Sequence, residues 1–303
     1  MKASVTYHRV LYTSIITLIV TVGLSQTAIK TSVLVETANP DKVTAEANKV
    51  PEDSSEIHFV IYTSMGNMKG KLYNSTPIHR DNFLKLSKEK YFDSLLFHRV
   101  IKQFMIQGGD PNSRGAADTI KLGGGGPNYT LEAEIKPELF HKKGVLSAAR
   151  QEDNVNPTKR SSGSQFYLVQ GKIYSEAMLT TQETRINQQK ANQAIGAYLK
   201  KPENKIVFDE VMYCQQARLT DSLNKVVARI KPLVMEGVEE FHFTAEQKTA
   251  YSTIGGTPHL DGNYTVFGEV YEGLDVIDKI AASPTAPGYR PLTDVIMAIQ
   301  IIE

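Results

Sequence analysis

The sequence predicts a mainly β fold carrying an inserted helical segment, and three stretches support that prediction. Glu56 to Tyr73 alternates around a Met65-Gly66-Asn67 turn, as the two strands of a hairpin do. Phe97 to Asp110 is a β-rich apolar run ending on a Gly108-Gly109-Asp110 turn. Tyr174 to Ala250 breaks the period of two. There Ile195, Tyr198 and Leu199, and then Leu219, Leu223, Val226, Val227 and Ile230, fall at helical spacing.

The elements follow in order. Lys2 and Arg9 precede the apolar run Val10 to Leu24, and Gly23 and Ser25 stand at the −3 and −1 spacing of a cleavage site. Residues 1–25 therefore read as a secretory signal peptide, or, left uncleaved, as a membrane anchor. The run is shorter than the roughly 20 residues of a spanning helix. No cysteine follows it, which excludes a lipoprotein anchor. Residues 26–55 are polar and Thr/Ala/Glu-rich with Pro40 and Pro51, a flexible linker. The body is expected outside the cytoplasm, in the periplasm or cell envelope.

Thr76-Pro77 opens a helix with Phe83, Leu84 and Leu86 as its apolar contacts. Gly123 to Gly126, followed by Pro127, lacks the G-K-[ST] of a phosphate loop and reads as tight turning. Gly163-Ser164-Gln165 likewise fails the G-x-S-x-G nucleophile pattern. In the helical stretch Pro202 and Pro232 separate the pieces, and Thr244 with Gln247 forms a capping box. Strands resume at Thr265 to Val270 and Val295 to Ile302, with a helix over Leu274 to Ile280 between them. The expected division is 56–173, a helical insertion at 174–250, and 251–303.

Composition excludes several classes. The 303 residues carry 34 basic and 33 acidic side chains, a net charge of +1, so no global attraction to nucleic acid follows. The single Cys214 makes neither an internal disulfide nor a cysteine zinc site, and reads as a small core residue. His58, His79, His141, His242 and His259 show no metal-ligand spacing, so neither a metal nor another cofactor is expected.

The informative residue is Arg99. Read as a strand, Phe97, Arg99 and Ile101 share one face, while His98 and Val100 occupy the other. A guanidinium among apolar side chains has to be held by partners or serve a ligand. His98 reads as a packed or hydrogen-bonded strand histidine.

Phe97-His98-Arg99 through Gln107-Gly108-Gly109-Asp110 resembles the cyclophilin signature F-H-R-x-I-x-x-F-M-x-Q-G-G-D. Three further blocks agree in the family's order: Gly144 to Ala149, Gly163 to Tyr167, and Leu260-Asp261-Gly262 with Val266-Phe267-Gly268. The resemblance spans about Glu56 to Ile173 and Tyr251 to Glu303. It implies a closed antiparallel β-barrel capped by helices, with Tyr174 to Ala250 standing where the family has a short connection. It also implies a peptidyl-prolyl cis/trans isomerase acting on proline-containing peptides and unfolded exported proteins, as a monomer.

By the same resemblance Arg99 is the catalytic arginine, Gln107 holds the substrate backbone, and Phe104 and Met105 are walls of the proline pocket. Ala149, Gln165 and Leu260 fall at groove positions. Four residues depart from the common pattern: Tyr167 for a pocket phenylalanine, Arg150 for an asparagine, His259 for a tryptophan and Tyr264 for a histidine. The last two look like bacterial members and argue against strong cyclosporin binding. The Tyr167 hydroxyl must find a partner.

This residue set suits bond rotation. Twisting an X-Pro amide destroys its resonance, a barrier near ~20 kcal/mol, and needs no nucleophile or proton acceptor. A dry slot for the ring helps, as does a donor aimed at the imide nitrogen, which accepts a hydrogen bond only once twisted. The opposing reading is a non-catalytic scaffold or holding chaperone for proline segments. Such a binder has no need of the arginine donor. A hydrolase built on Ser164 or His98 lacks an assembled base and orienter.

Overall fold

A computed structural model describes Glu56 to Ile302, so the signal-peptide and linker expectations for residues 1–55 fall outside the described residues. The hairpin forms between β1 (Ile57–Thr63) and β2 (Gly66–Leu72), with Thr63 paired to Gly66. Its loop is therefore Ser64-Met65, one residue earlier than the sequence suggested. Gly66 closes it at φ +133°, a conformation that favours glycine.

Helix α1 (Pro77–Lys88) starts after Thr76, whose side chain makes no capping bond. Glu134, distant in sequence, caps it instead by accepting from the backbone N–H groups of Ile78 and His79 at 3.1 and 3.0 Å. Phe83 and Leu86 are buried and Leu84 half-buried, as an inward-facing stripe requires.

The chain then forms β3 (Leu95–Leu96), β4 (Arg99–Ile101), β5 (Met105–Gly108), β6 (Thr130–Leu131), β7 (Val145–Ala148), β8 (Ser161–Ser162) and β9 (Phe166–Val169), and, after a helical stretch, β10 (Val266–Glu272) and β11 (Ile296–Ile302). Nine of them make one antiparallel sheet in the order β3-β11-β1-β2-β10-β7-β9-β5-β4, while β6 and β8 pair separately. Strands β7 and β9 are buried on both faces. Phe59, Ile61, Leu146, Phe166 and Leu168 form the core with Phe83 of α1. Each such side chain contributes about 1.5–3 kcal/mol through burial.

The closed barrel expected from the sequence needs correction. The sheet is strongly curled but remains a half-barrel, because its two edge strands, β3 and β4, are not hydrogen-bonded to each other. They are joined instead through the chain itself, across Phe97 and His98. Phe97 N–H donates to Val295 O at 2.9 Å and Val100 N–H to Tyr289 O at 2.8 Å. The segment before β11 thus takes up bonds that strand closure would use. The run from Phe97 is not one strand either: it reverses at Gln103, with Phe104 N–H donating to Ile101 O at 3.1 Å, and Phe97 packs in the core with Val100 instead of sharing a face with Arg99.

Among the described residues, 56–182 and 243–302 form one compact unit, and Glu183–His242 belongs to another. Helix α2 (Glu176–Leu199) crosses that division, followed by α3 (Lys205–Gln216) and α4 (Thr220–Met235). Ile195, Leu199, Val211, Cys214, Leu223, Val226 and Ile230 pack on one another, with Cys214 a buried core residue. Pro232 does not separate helices; it sits inside α4. Burial of Ile230 and Val234 around it outweighs the one helical hydrogen bond it forfeits. Helix α5 (Ala245–Thr253) opens on the expected Thr244/Gln247 capping box. Helix α6 (Leu274–Ala281) buries Val276, Ile277 and Ile280.

Candidate functional site

Sheet register aligns the site. Arg99 on β4 stands opposite Gln107 on β5, Gln107 opposite Tyr167 on β9, and Tyr167 opposite Ser147 on β7. Directly paired residues share a face, so four strands present one transverse row. A short β4–β5 connection through Gln103, at φ +62°, makes that register available.

All of the row but Ser147 borders a cleft of about 600 Å³ lined by Arg99, Phe104, Met105, Gln107, Ala149, Arg150, Tyr167, Leu260 and Tyr264. Nine of the eleven candidate residues therefore converge there. Gln165 stands behind the wall and His259 outside it. Met105, Tyr167 and Leu260 are buried, with Phe104, Ala149 and Tyr264 packed against them as an apolar notch. His259 is exposed but lays its ring over Phe104, centroids 5.5 Å apart and planes tilted by 30°.

Arg99 is half-buried at the side of this notch. Its Nη1 donates to Gln107 Oε1 at 3.0 Å, and Gln107 Nε2 donates to Gln165 Oε1 at 2.9 Å. Gln165 Nε2 in turn donates to the carbonyls of Gly123 and Gly125 at 3.0 and 2.7 Å. Among the described residues no carboxylate pairs with Arg99, which leaves the rest of its donor fork to a ligand.

The turn behind this chain explains the Gly-Gly-Asp ending. A Cβ on Gly109, at φ +86°, would lie 2.1 Å from the Ser164 carbonyl oxygen. Asp110 is fully buried, and its carboxylate accepts from the backbone N–H groups of Asn112, Gly123 and Gly125. The glycine-rich loop is thereby tied to the site's frame; it bends at Gly123, φ +97°, and is otherwise irregular rather than tightly turned.

The two unusual polar residues are both satisfied. Arg150 places its guanidinium 4.5 Å from the centre of the Tyr264 ring, donates to Asn263 O at 2.8 Å and pairs with Asp153 at 2.6 Å. It braces Tyr264 rather than offering a free charge. The Tyr167 hydroxyl lies 3.0 Å from His141 Nε2 and 3.0 Å from Ser147 Oγ, and burial pushes its pKa well up.

Several residues at or behind the site have a place the sequence does not show, among them His98, expected only to be packed or hydrogen-bonded. His98 lines the cleft with its ring 3 % exposed and neither nitrogen hydrogen-bonded; burial lowers its pKa against the opposing pull of Asp110. Loop residues 118–123 and 286–292 complete the cleft. His141 pairs with Asp261 at 2.9 Å across 120 positions of sequence. Ser147, His141 and Asp261 thus line up as a hydrolase's would, yet Ser147 and His141 are 0 % exposed and Ser147 Oγ donates to Thr265 O at 2.9 Å. That serine meets no substrate. What the arrangement offers is a forked cation beside a dry notch.

The chain is similar to known proteins. The sequence profile described as "Cyclophilin type peptidyl-prolyl cis-trans isomerase/CLD" matches residues 58–226 and 239–301. A protein of Staphylococcus aureus (strain COL), provisionally named a peptidyl-prolyl cis-trans isomerase, is 30% identical over 243 residues, covering 80% of this chain and 89% of its own length. A protein of Staphylococcus saprophyticus with the same provisional name is 31% identical over 253 residues, covering 83% and 94%. Among solved structures, a Cryptosporidium parvum cyclophilin type peptidyl-prolyl cis-trans isomerase aligns with a TM-score of 0.48 at 20% identity, covering 82% of this chain and 98% of its own.

Proposed function

Because this chain belongs to the cyclophilin family of peptidyl-prolyl cis/trans isomerases, we propose that it rotates X-Pro bonds in the cleft beside Arg99, within proline-containing segments of exported proteins. The observation that carries the reading is the Arg99–Gln107 pair at the edge of the notch formed by Phe104, Met105, Tyr167 and Leu260.

The notch takes the pyrrolidine ring out of water, and Gln107 holds the substrate backbone next to Arg99. As the imide twists, its nitrogen becomes pyramidal and its lone pair, delocalised into the carbonyl while the amide is planar, becomes localised on it. Arg99, permanently charged and fork-shaped, donates to that lone pair while one nitrogen stays bound to Gln107. The bond exists only in the twisted state, so it lowers the barrier rather than merely tightening binding. A charge-assisted hydrogen bond contributes about 1.5–3 kcal/mol. Export rests on the apolar N-terminal run and its flanking residues.

The test is isomerisation of an X-Pro peptide by the purified protein and by Arg99→Ala. The variant should lose on the order of 10- to 100-fold in kcat/KM with unchanged circular dichroism. Equal rates would overturn the role given to Arg99, and would favour a proline-binding scaffold. Export is tested separately, by fractionating cells that express the full chain. A protein found entirely in the cytosol would end that part of the proposal.

A further inference from the structure

Behind the cleft lies a buried polar cluster for which bond rotation has no direct use. The Tyr167 ring lines the cleft, but its hydroxyl leaves it for His141 and Ser147, neither of which borders the cleft. On its far side the His141 imidazole sets Nδ1 2.9 Å from Asp261 Oδ1, which also accepts the His141 backbone N–H at 2.8 Å. The other oxygen of Asp261 accepts the Tyr251 hydroxyl.

A carboxylate only accepts, so Nδ1 carries a ring proton toward Asp261. Nε2 lies 3.0 Å from the Tyr167 hydroxyl and 3.3 Å from Ser147 Oγ, so hydroxyls meet it on the side away from Asp261. Asp261 directly follows Leu260, a wall of the cleft, so the relay links wall to floor. The His141 and Tyr167 rings also lie nearly parallel, 14° apart with centroids at 6.1 Å.

We infer that His141, oriented by Asp261, is a positioning residue of the isomerase that holds Tyr167 by its hydroxyl so that the ring, and not the hydroxyl, faces the proline notch. The inference rests on the reading that this cleft receives proline. A phenol that loses its buried partner turns toward whatever polar group or water it can reach. With His141 gone, Ser147, already 3.0 Å away, is the one partner left, and a hydroxyl held from one side only lets the ring move in the notch. A phenylalanine at 167 would make no such demand.

Isomerase assays on the full chain decide it. His141→Leu should lower kcat/KM on the order of 10-fold while residue 167 is tyrosine, and by less than about twofold when Tyr167→Phe is also present. Equal losses in the two backgrounds, or no loss in either, would overturn the inference, since a merely structural histidine costs the same in both. His141→Phe, which fills that space with a ring but offers the phenol no acceptor, provides the same comparison where the leucine variant does not fold. A spectroscopic readout stands beside it. The ¹⁵N shift of His141 Nε2 should move when Tyr167→Phe removes its partner, and an unmoved signal would show that the bond is not made. A parent protein without isomerase activity would instead sink the reading of the cleft, a separate result.

Discussion

Arg99 and Gln107 face each other across the β4–β5 pair, with the guanidinium donating to the amide oxygen at 3.0 Å. Gln165 grips the same amide from the other side and is itself held by two carbonyls of the glycine-rich loop. The donor is therefore aimed before substrate arrives, so little ordering remains to be done in the transition state.

Charge alone should not replace that fork. Arg99→Lys keeps the cation but cannot bind Gln107 and the imide nitrogen with fixed planar geometry. Its kcat/KM should stay at least about 10-fold below the parent. A lysine variant working at the parental rate would show that position of charge, and not the fork, is what matters.

Cutting the support behind the amide should weaken the site without touching substrate. In Gln165→Ala the Gln107 side chain loses the acceptor that fixes its orientation. A fall of roughly 5- to 20-fold in kcat/KM is expected. Gln165→Glu retains that acceptor but repels the Gly123 and Gly125 carbonyls, so it should not restore the parental rate. Either variant at full activity would remove Gln165 from the positioning chain.

Asp110 should matter to stability. Asp110→Ala removes a fully buried carboxylate and leaves the part-buried N–H groups of Asn112, Gly123 and Gly125 without their shared acceptor. A loss of about 2–4 kcal/mol is expected, read as a lower urea midpoint at unchanged slope. A midpoint within error of the parent would mean that the loop is not tied down through this carboxylate.

Acid should destabilise the fold before its carboxylates titrate. His79 and His98 are both buried, and burial lowers their pKa values below the ordinary 6.5, outweighing the pull of Glu134 and Asp110. Between the folded and unfolded values the unfolded chain binds more protons. Stability is thus fully present above pH 6.5 and falls as pH drops below it. Melting temperature should decline between about pH 7 and 5.5, and less steeply in His98→Asn. A flat profile would contradict buried neutral rings.

Every cleft residue lies outside Glu183–His242. Replacing that segment by a short glycine–serine turn should leave turnover of a small X-Pro peptide within about twofold of the parent. Lost turnover in a variant whose circular dichroism still shows the β sheet would mean that the segment takes part in the reaction.

Local physics made much of this chain readable in advance. The hairpin around Gly66, the capping box at Thr244 and Gln247, and the stripe that buries Leu223, Val226 and Ile230 each depend on neighbours a few residues away. Arg99 was legible because a cation inside an apolar run has to be explained. By contrast, the open seam between β3 and β4, the cap that Glu134 gives α1, and the His141–Asp261 pair join residues far apart in sequence. The eventual partners of the Tyr167 hydroxyl belong with them. Spacing and propensity determined which elements exist and which side chains need company. Which partner each one meets was decided only when the sheet curled, because register and curvature, not distance along the chain, set who lies within 3 Å of whom.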